Sequence, residues 1–173
     1  MTTTPSAPHT PVNLLTLTEP EMVTFTRAQG WPDYRATQIL RWLYQRGAQT
    51  IAAMTDLSLR DRETLAKSAG ISRTTACTIL ASQDGTRKLL LTLDDGMTVE
   101  AVLIPDDERL TLCVSTQVGC MLDCGFCLTG TMGLRRNLKS YEIIDQVLAA
   151  QDRLDAGERI TNLVFMGMGE PLA

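Results

Sequence analysis

Residues 110–167 constrain the fold more than any other part of the chain. LTLCVST (Leu110–Thr116) reads as a strand, and a loop with three cysteines follows it. From Ser140 to Leu154 the apolar residues Ile143, Ile144, Val147, Leu148 and Leu154 recur at helical spacing, with Ser140 as N-cap and Gly157 as the stop. ITNLVFMG (Ile160–Gly167) is a nearly continuous apolar run, the mark of a strand buried on both faces. Strand, loop, helix, strand is one βαβ unit, and its crossover places the two strands parallel. Two parallel strands and one helix cannot cover both faces of a sheet or its edges. The unit is therefore expected to open a larger sheet that these residues leave unfinished.

Upstream, RKLLLTL (Arg87–Leu93), the turn Asp94–Gly96 and MTVEAVLIP (Met97–Pro105) read as a hairpin, with Val99 and Ala101 alternating against Glu100 and Val102. The first third of the chain has a helical period. Helices are expected over Glu19–Gln29, over Tyr34–Arg46 with Asp33 as cap and Gly47 as stop, and over Leu59–Ser68. The expected organisation is a disordered tail over 1–13, a helical domain over 14–75, a hairpin connector over 76–109 and the start of an α/β domain over 110–173.

Composition narrows the function classes. The chain has 173 residues, a net charge of −4 and five cysteines. It is no polycation, so a nucleic-acid contact needs a local patch. Residues 1–70 are the least acidic third, with seven Lys/Arg against six Asp/Glu. Arg35, Arg41, Arg46, Arg60, Arg62 and Lys67 lie on the polar faces there, where a solvated surface is the plainer reading and an RNA patch the sharper one. No run is long and apolar enough for a membrane helix, and the first residues lack the pattern of a secretory signal. A cytoplasmic location is the default expectation.

GCMLDCGFCLTG (Gly119–Gly130) holds Cys120, Cys124 and Cys127 within eight residues. Clustered cysteines outside an oxidising compartment point to metal or catalysis rather than to a disulfide framework. Zinc knuckles usually carry separated CxxC pairs. Here a CxxxCxxC run lets one loop wrap a single centre, and Gly119 and Gly125 permit a tight backbone. Three thiolates satisfy three irons of a four-iron cubane and leave the fourth open. The competing reading is a zinc site with Cys113 as fourth ligand. By itself Cys113 reads as a small buried hydrophobe, Glu100 as a solvent-facing strand residue, Cys77 as core filler, and His9 as part of the tail.

CxxxCxxC with Phe126 before its last cysteine resembles the radical S-adenosylmethionine (SAM) signature. GMGEP (Gly167–Pro171) resembles that superfamily's glycine–glutamate motif. The wider text, TLCVSTQVGCMLDCGFC, NLKSYEIIDQV, ITNLVFMGMGEPL and YRATQILRWLYQRG, closely resembles the RlmN/Cfr family of radical SAM RNA adenine methyltransferases. The resemblance runs from about Leu14 to the end of the chain and covers roughly the first half of the family's length.

The resemblance implies an incomplete radical SAM (βα)6 barrel after a helical domain. It implies a [4Fe-4S] cluster on Cys120, Cys124 and Cys127, and SAM contacts from Gly169 and Glu170. Cys113 matches a catalytic cysteine that is not a ligand, and Glu100 a proposed proton acceptor. In the family, one SAM methylates a late cysteine and a second yields a radical that takes hydrogen from that S-methyl group. The carbon radical adds to adenine, and the cysteine matching Cys113 then releases the product. A disulfide bond is part of the same expectation. The implied partners are 23S rRNA, with tRNA as a further substrate, and an electron donor such as flavodoxin or ferredoxin; a monomer is expected. Methylation at C2 is favoured over C8. Arg135, Arg136 and Lys139, beside the cysteine loop, are expected either to meet RNA phosphates or SAM's carboxylate, or to be solvated. No cysteine follows Cys127. The chain by itself is therefore expected to be an inactive fragment. The alternative from another class is a non-enzymatic zinc or RNA-binding module.

Overall fold

The computed structural model describes residues 11–173, and of Thr75, Ala76 and Cys77 the backbone alone. Most of the expected tail, His9, and the reading of Cys77 lie outside the described residues and side chains. The chain forms two compact units, one up to Arg73 and one from Thr74 onward.

In the first unit a short strand β1 (Val12–Asn13) pairs in parallel with β2 (Ala69–Gly70), around the helices α1 (Glu19–Ala28), α2 (Tyr34–Tyr44) and α3 (Leu59–Ser68). Val12 and Asn13, expected in the tail, are thus paired, and Asn13 Oδ1 also accepts the N–H groups of Leu15 and Ser72. Glu21 caps α1 by accepting the Thr18 N–H at 2.8 Å. Ser58 caps α3 by accepting the Asp61 N–H at 3.1 Å. Gly47 has φ 60°, the left-handed turn that ends α2. Asp33 precedes α2 as expected but makes no cap bond; its carboxylate takes two bonds from Arg27, at 2.7 and 2.6 Å. Its helical φ and ψ, −57° and −33°, are not the extended conformation in which an N-cap side chain folds back. Leu14, Met22, Ile39, Leu43, Met54, Leu57 and Leu65 form the core.

The second unit carries a five-stranded sheet of β3 (Thr75–Ala81), β4 (Arg87–Thr92), β5 (Thr98–Asp106), β6 (Arg109–Cys113) and, after intervening elements, β9 (Asn162–Val164), in that spatial order. The first four strands are antiparallel neighbours, and β6 and β9 are parallel. Between β6 and β9 come β7 (Gln117–Val118), the short helix α4 (Leu128–Thr131), β8 (Arg136–Asn137) and the crossover helix α5 (Ser140–Gln151). The hairpin and the βαβ crossover are therefore present as read. Helix α5 begins with Lys139 rather than Ser140 in the capping position and ends at Gln151. Gly157, φ 92°, turns the chain within the following loop and does not end the helix.

Period-2 alternation decides which face is buried. Leu89, Leu91, Val99, Ala101, Leu103 and Leu112 point toward α5 and pack with Ala149 and Ala150. Cross-strand partners share a face, so the registers Leu90↔Glu100, Lys88↔Val102 and Val102↔Cys113 put Lys88, Glu100 and Cys113 together on the other face. The strand expected to be buried over 160–167 is shorter and more exposed. Its ladder covers three residues, and Leu163, Phe165 and Met166 are exposed. Its physical position explains this: β9 is an edge strand with β6 as its one neighbour among the described residues, whereas a continuous apolar strand needs cover on both sides.

Candidate functional site

Because β6 and β9 are parallel, the segments that leave their C-terminal ends emerge at the same end of the sheet. One is the cysteine loop and the other is GMGEP. Ser115 and Gln117, both buried, join them. Ser115 exchanges two bonds with Gln146 of α5: its N–H donates to Oε1 at 2.9 Å, and its carbonyl accepts from Nε2 at 3.0 Å. Its hydroxyl donates to the Glu100 carbonyl at 2.6 Å and accepts the Met168 N–H at 2.9 Å. Gln117 Oε1 accepts the Glu170 N–H at 3.1 Å, while Nε2 donates to Asn137 Oδ1 at 2.8 Å. Glycine is required where these backbones touch. A Cβ on Gly169, φ 99°, would lie 2.5 Å from the Gln117 side chain, and one on Gly167 would lie 2.8 Å from Val114 and Ser115.

The cysteine loop leaves and re-enters through the β7–β8 ladder, Gln117↔Asn137 and Val118↔Arg136. Its neck is so narrow that a Cβ on Gly119, φ 77°, would stand 1.9 Å from the Gly133 carbonyl oxygen. Gly130 is also confined, against Leu122. Gly125 has no neighbour within 4 Å of a built Cβ and no positive φ, so its expected part in the tight backbone is not required; Gly130 and Gly133 take that part.

Cys120, Cys124 and Cys127 are half-buried free thiols in this loop, and Cys113 is a buried one at the end of β6. The expected disulfide is thus absent among the described cysteines. Leu122 donates its N–H to Cys120 Sγ at 3.4 Å, and Cys127 donates its N–H to the Cys124 carbonyl at 2.9 Å. The Gly130 backbone N–H leads the interactions that hold the Cys127 thiol below its ordinary range. Burial pushes the Cys113 thiol up, partly offset by the Met166 N–H. No three His, Cys, Asp or Glu side chains are gathered as a finished metal cage among the described residues. The donor set nevertheless fits a soft-metal centre: three uncrosslinked thiols in one loop with a fixed neck.

Glu100 is ion-paired with Lys88 at 3.2 Å and lines a hollow of about 280 Å3 with Leu90, Leu128, Met132 and Met168. This hollow brings Glu100 beside α4 of the cysteine loop and beside Met168, the neighbour of Gly169. Glu170 lines a different cleft, of about 400 Å3, with Thr116, Gln117, Asn137, Ile143 and Phe165. Its Oε1 accepts the Leu172 N–H at 3.0 Å. Thr116 Oγ1 is buried with no partner among the described residues, a polar group that a ligand's amino or carboxylate end would satisfy. The site residues thus fall into a thiol loop, a Glu100 hollow and a Glu170 cleft around one end of the sheet.

Arg136 contradicts the expectation of a cation available to phosphate. It donates to Asp95 at 2.7 Å and twice to Glu142 at 2.8 Å. Those carboxylates raise its already high pKa further. In the first unit, too, part of the basic face is engaged: Arg35 pairs with Asp61, and Arg46 with Asp56 and the Trp42 ring. Ser115, Gln117 and Gln146 escaped sequence reading; the one available signal was a polar STQ run directly behind an apolar strand.

Residues 12–71 match the model of the ribosomal RNA large subunit methyltransferase N-terminal domain. The chain is 49% identical to the dual-specificity RNA methyltransferase RlmN of Geobacter sulfurreducens, over 95% of this chain and 44% of that protein. It is 50% identical to the probable dual-specificity RNA methyltransferase RlmN of Synechocystis, over 94% of this chain and 45% of that protein. The crystal structure of a radical SAM methyltransferase from Sphaerobacter thermophilus superposes with a TM-score of 0.82 at 43% identity, covering 94% of this chain and 48% of that one. The chain therefore spans less than half the length of these relatives. By sequence along nearly its whole length and by fold, the chain is similar to the parts of the dual-specificity RNA methyltransferases RlmN, and of the radical SAM methyltransferase, that these alignments cover.

Proposed function

We propose that these residues are the cluster- and SAM-binding part of an RNA adenine methyltransferase that acts on C2 of an adenine in 23S rRNA and on tRNA. The observation that carries the reading is the joining of the cysteine loop to GMGEP through Gln117 and Ser115, at one end of the parallel pair β6–β9. Cys120, Cys124 and Cys127 hold the [4Fe-4S] cluster, and Gly169 and Glu170 contact SAM; together these cofactors supply the radical chemistry when bound. The sheet face away from α5 is the inside of a (βα)6 barrel whose first strands are β6 and β9.

The chain's own residues have separate tasks. Glu100, on that inner face and in the hollow beside α4, accepts the proton that leaves the adenine ring carbon. Cys113 shares the face with Glu100 and is buried away from bulk water; its thiolate attacks the sulfur of the carrier cysteine, forming an S–S bond as the carbon–sulfur bond to the RNA adduct breaks, and the carbon, keeping that electron pair, takes up a proton to give the free methylated product. No cysteine follows Cys127, so these 173 residues do not themselves contain the carrier and do not by themselves complete methyl transfer. Arg135 and Lys139 remain for RNA phosphate. A flavodoxin or ferredoxin supplies the electron, and the working form is a cytoplasmic monomer.

Anaerobic reconstitution with iron and sulfide tests the reading. A brown protein with about four irons per chain, which cleaves SAM on reduction, is expected. A colourless protein holding one zinc would replace the reading with that of a zinc module.

A further inference from the structure

Arg136 belongs to none of the tasks above, yet it has the most heavily engaged side chain around the cysteine loop. Its guanidinium joins three pieces of chain. It lies on β8, the return strand of the loop, opposite Val118. Nε donates to Asp95 in the β4–β5 turn at 2.7 Å, and both terminal nitrogens donate to Glu142 in the first turn of α5 at 2.8 Å. The Glu142 side chain is 4% exposed, and its carboxylate also accepts the Lys139 N–H at 2.7 Å. Two carboxylates on one planar fork fix both the position and the tilt of the guanidinium.

The backbone of Arg136 faces the point where the loop leaves the sheet. Arg135 donates its N–H to the Val118 carbonyl at 2.9 Å, and the next two residues along the outgoing strand are Gly119 and Cys120. The neck has no slack, because the Gly119–Gly133 approach leaves no room for even a methyl group. A sideways shift of β8 would therefore carry the outgoing strand with it.

We propose that Arg136 is the positioning residue of the cysteine loop: held by Asp95 and Glu142, it sets the register in which Cys120, Cys124 and Cys127 are presented beside the sheet. The inference rests on the reading of that loop as the cluster site, but the neck can be measured without the cluster.

The test compares the parent chain with Arg136→Lys, which keeps the charge and loses the fork, and with the double variant Arg136→Met/Glu142→Met. The double variant leaves no uncompensated buried charge, so the fold is expected to survive. Hydrogen exchange of the metal-free proteins is read at the Arg135 amide and compared with the Leu112 amide in the sheet. A loss of protection of tenfold or more at Arg135 in both variants, with Leu112 unchanged, is expected. Reconstituted proteins should then show an altered electron paramagnetic resonance line shape of the reduced cluster in the variants. Unchanged protection at Arg135 overturns the proposal, as does an unaltered line shape. Equal loss at Arg135 and Leu112 also overturns it, because Arg136 would then be a general stabiliser. If the parent takes up no iron, the cluster reading fails, and the exchange data alone decide whether Arg136 positions the loop.

Discussion

Gln117 accepts the backbone N–H of Glu170 across 53 residues of sequence, and on its other side donates to Asn137. One buried amide thereby fixes the spacing between the GMGEP segment and the return strand of the cysteine loop. Gln117→Leu keeps the volume and leaves the Glu170 N–H without its acceptor. The expected cost is about 1–3 kcal/mol, read as a lower urea midpoint, with faster exchange at the Glu170 amide. An unchanged amide at Glu170 would show that the bond does not hold the segment.

Gly119 and Gly125 are both glycines of the cysteine loop, but only one is sterically required. Gly119→Ala places a methyl group 1.9 Å from the Gly133 oxygen at a positive φ, and Gly125→Ala meets nothing within 4 Å. Iron uptake on reconstitution is expected to fall several-fold in Gly119→Ala and to stay at the parent level in Gly125→Ala. Equal uptake by the two variants would mean that the neck opens freely.

Leu112 is fully buried between β5, β9 and the α5 side of the core. Leu112→Ala should cost about 2–5 kcal/mol, measured by urea denaturation of the second unit. The exposed Leu163, its partner on β9, should lose far less on the same substitution. A comparable loss at both would mean that β9 is better covered than its exposure indicates.

Legibility in the sequence followed the range of the interaction. The β4–β5 hairpin, the β6–α5–β9 crossover and α3 were readable because alternation, turn glycines and helical spacing are local. Cys120, Cys124, Cys127 and GMGEP were readable as motifs for the same reason. Ser115–Gln146 and Gln117–Glu170 were not, since a side-chain bond spanning 31 or 53 residues leaves no periodic trace. Asp33 misled because an acidic residue before a helix looks like a cap whether or not its backbone is extended. Arg136 misled because a basic run looks solvated until the fold brings Glu142 and Asp95 to it. β9 misled because apolarity reports what a strand needs as cover, not what the described residues supply.

Acid should loosen the loop's anchorage before it reaches the apolar core. Burial pushes the Glu142 carboxyl up, but the bonds from Arg136 and the Lys139 N–H outweigh it, and the net position is below the ordinary 4.5. Asp95 is likewise held below 3.8, first by Arg136 and then by the Met97 N–H. For carboxyls depressed by folding, the stabilisation is fully present above the unfolded value and is lost as pH falls through the lower folded value. The second unit should therefore hold its stability from neutrality down to about pH 4.5 and lose it progressively below. Glu142→Gln removes one of the two groups, so its urea midpoint should be lower than the parent's at pH 7 and should fall less steeply between pH 4.5 and 2.5. Parallel curves for parent and variant over that window would mean that Glu142 is not a source of the acid sensitivity.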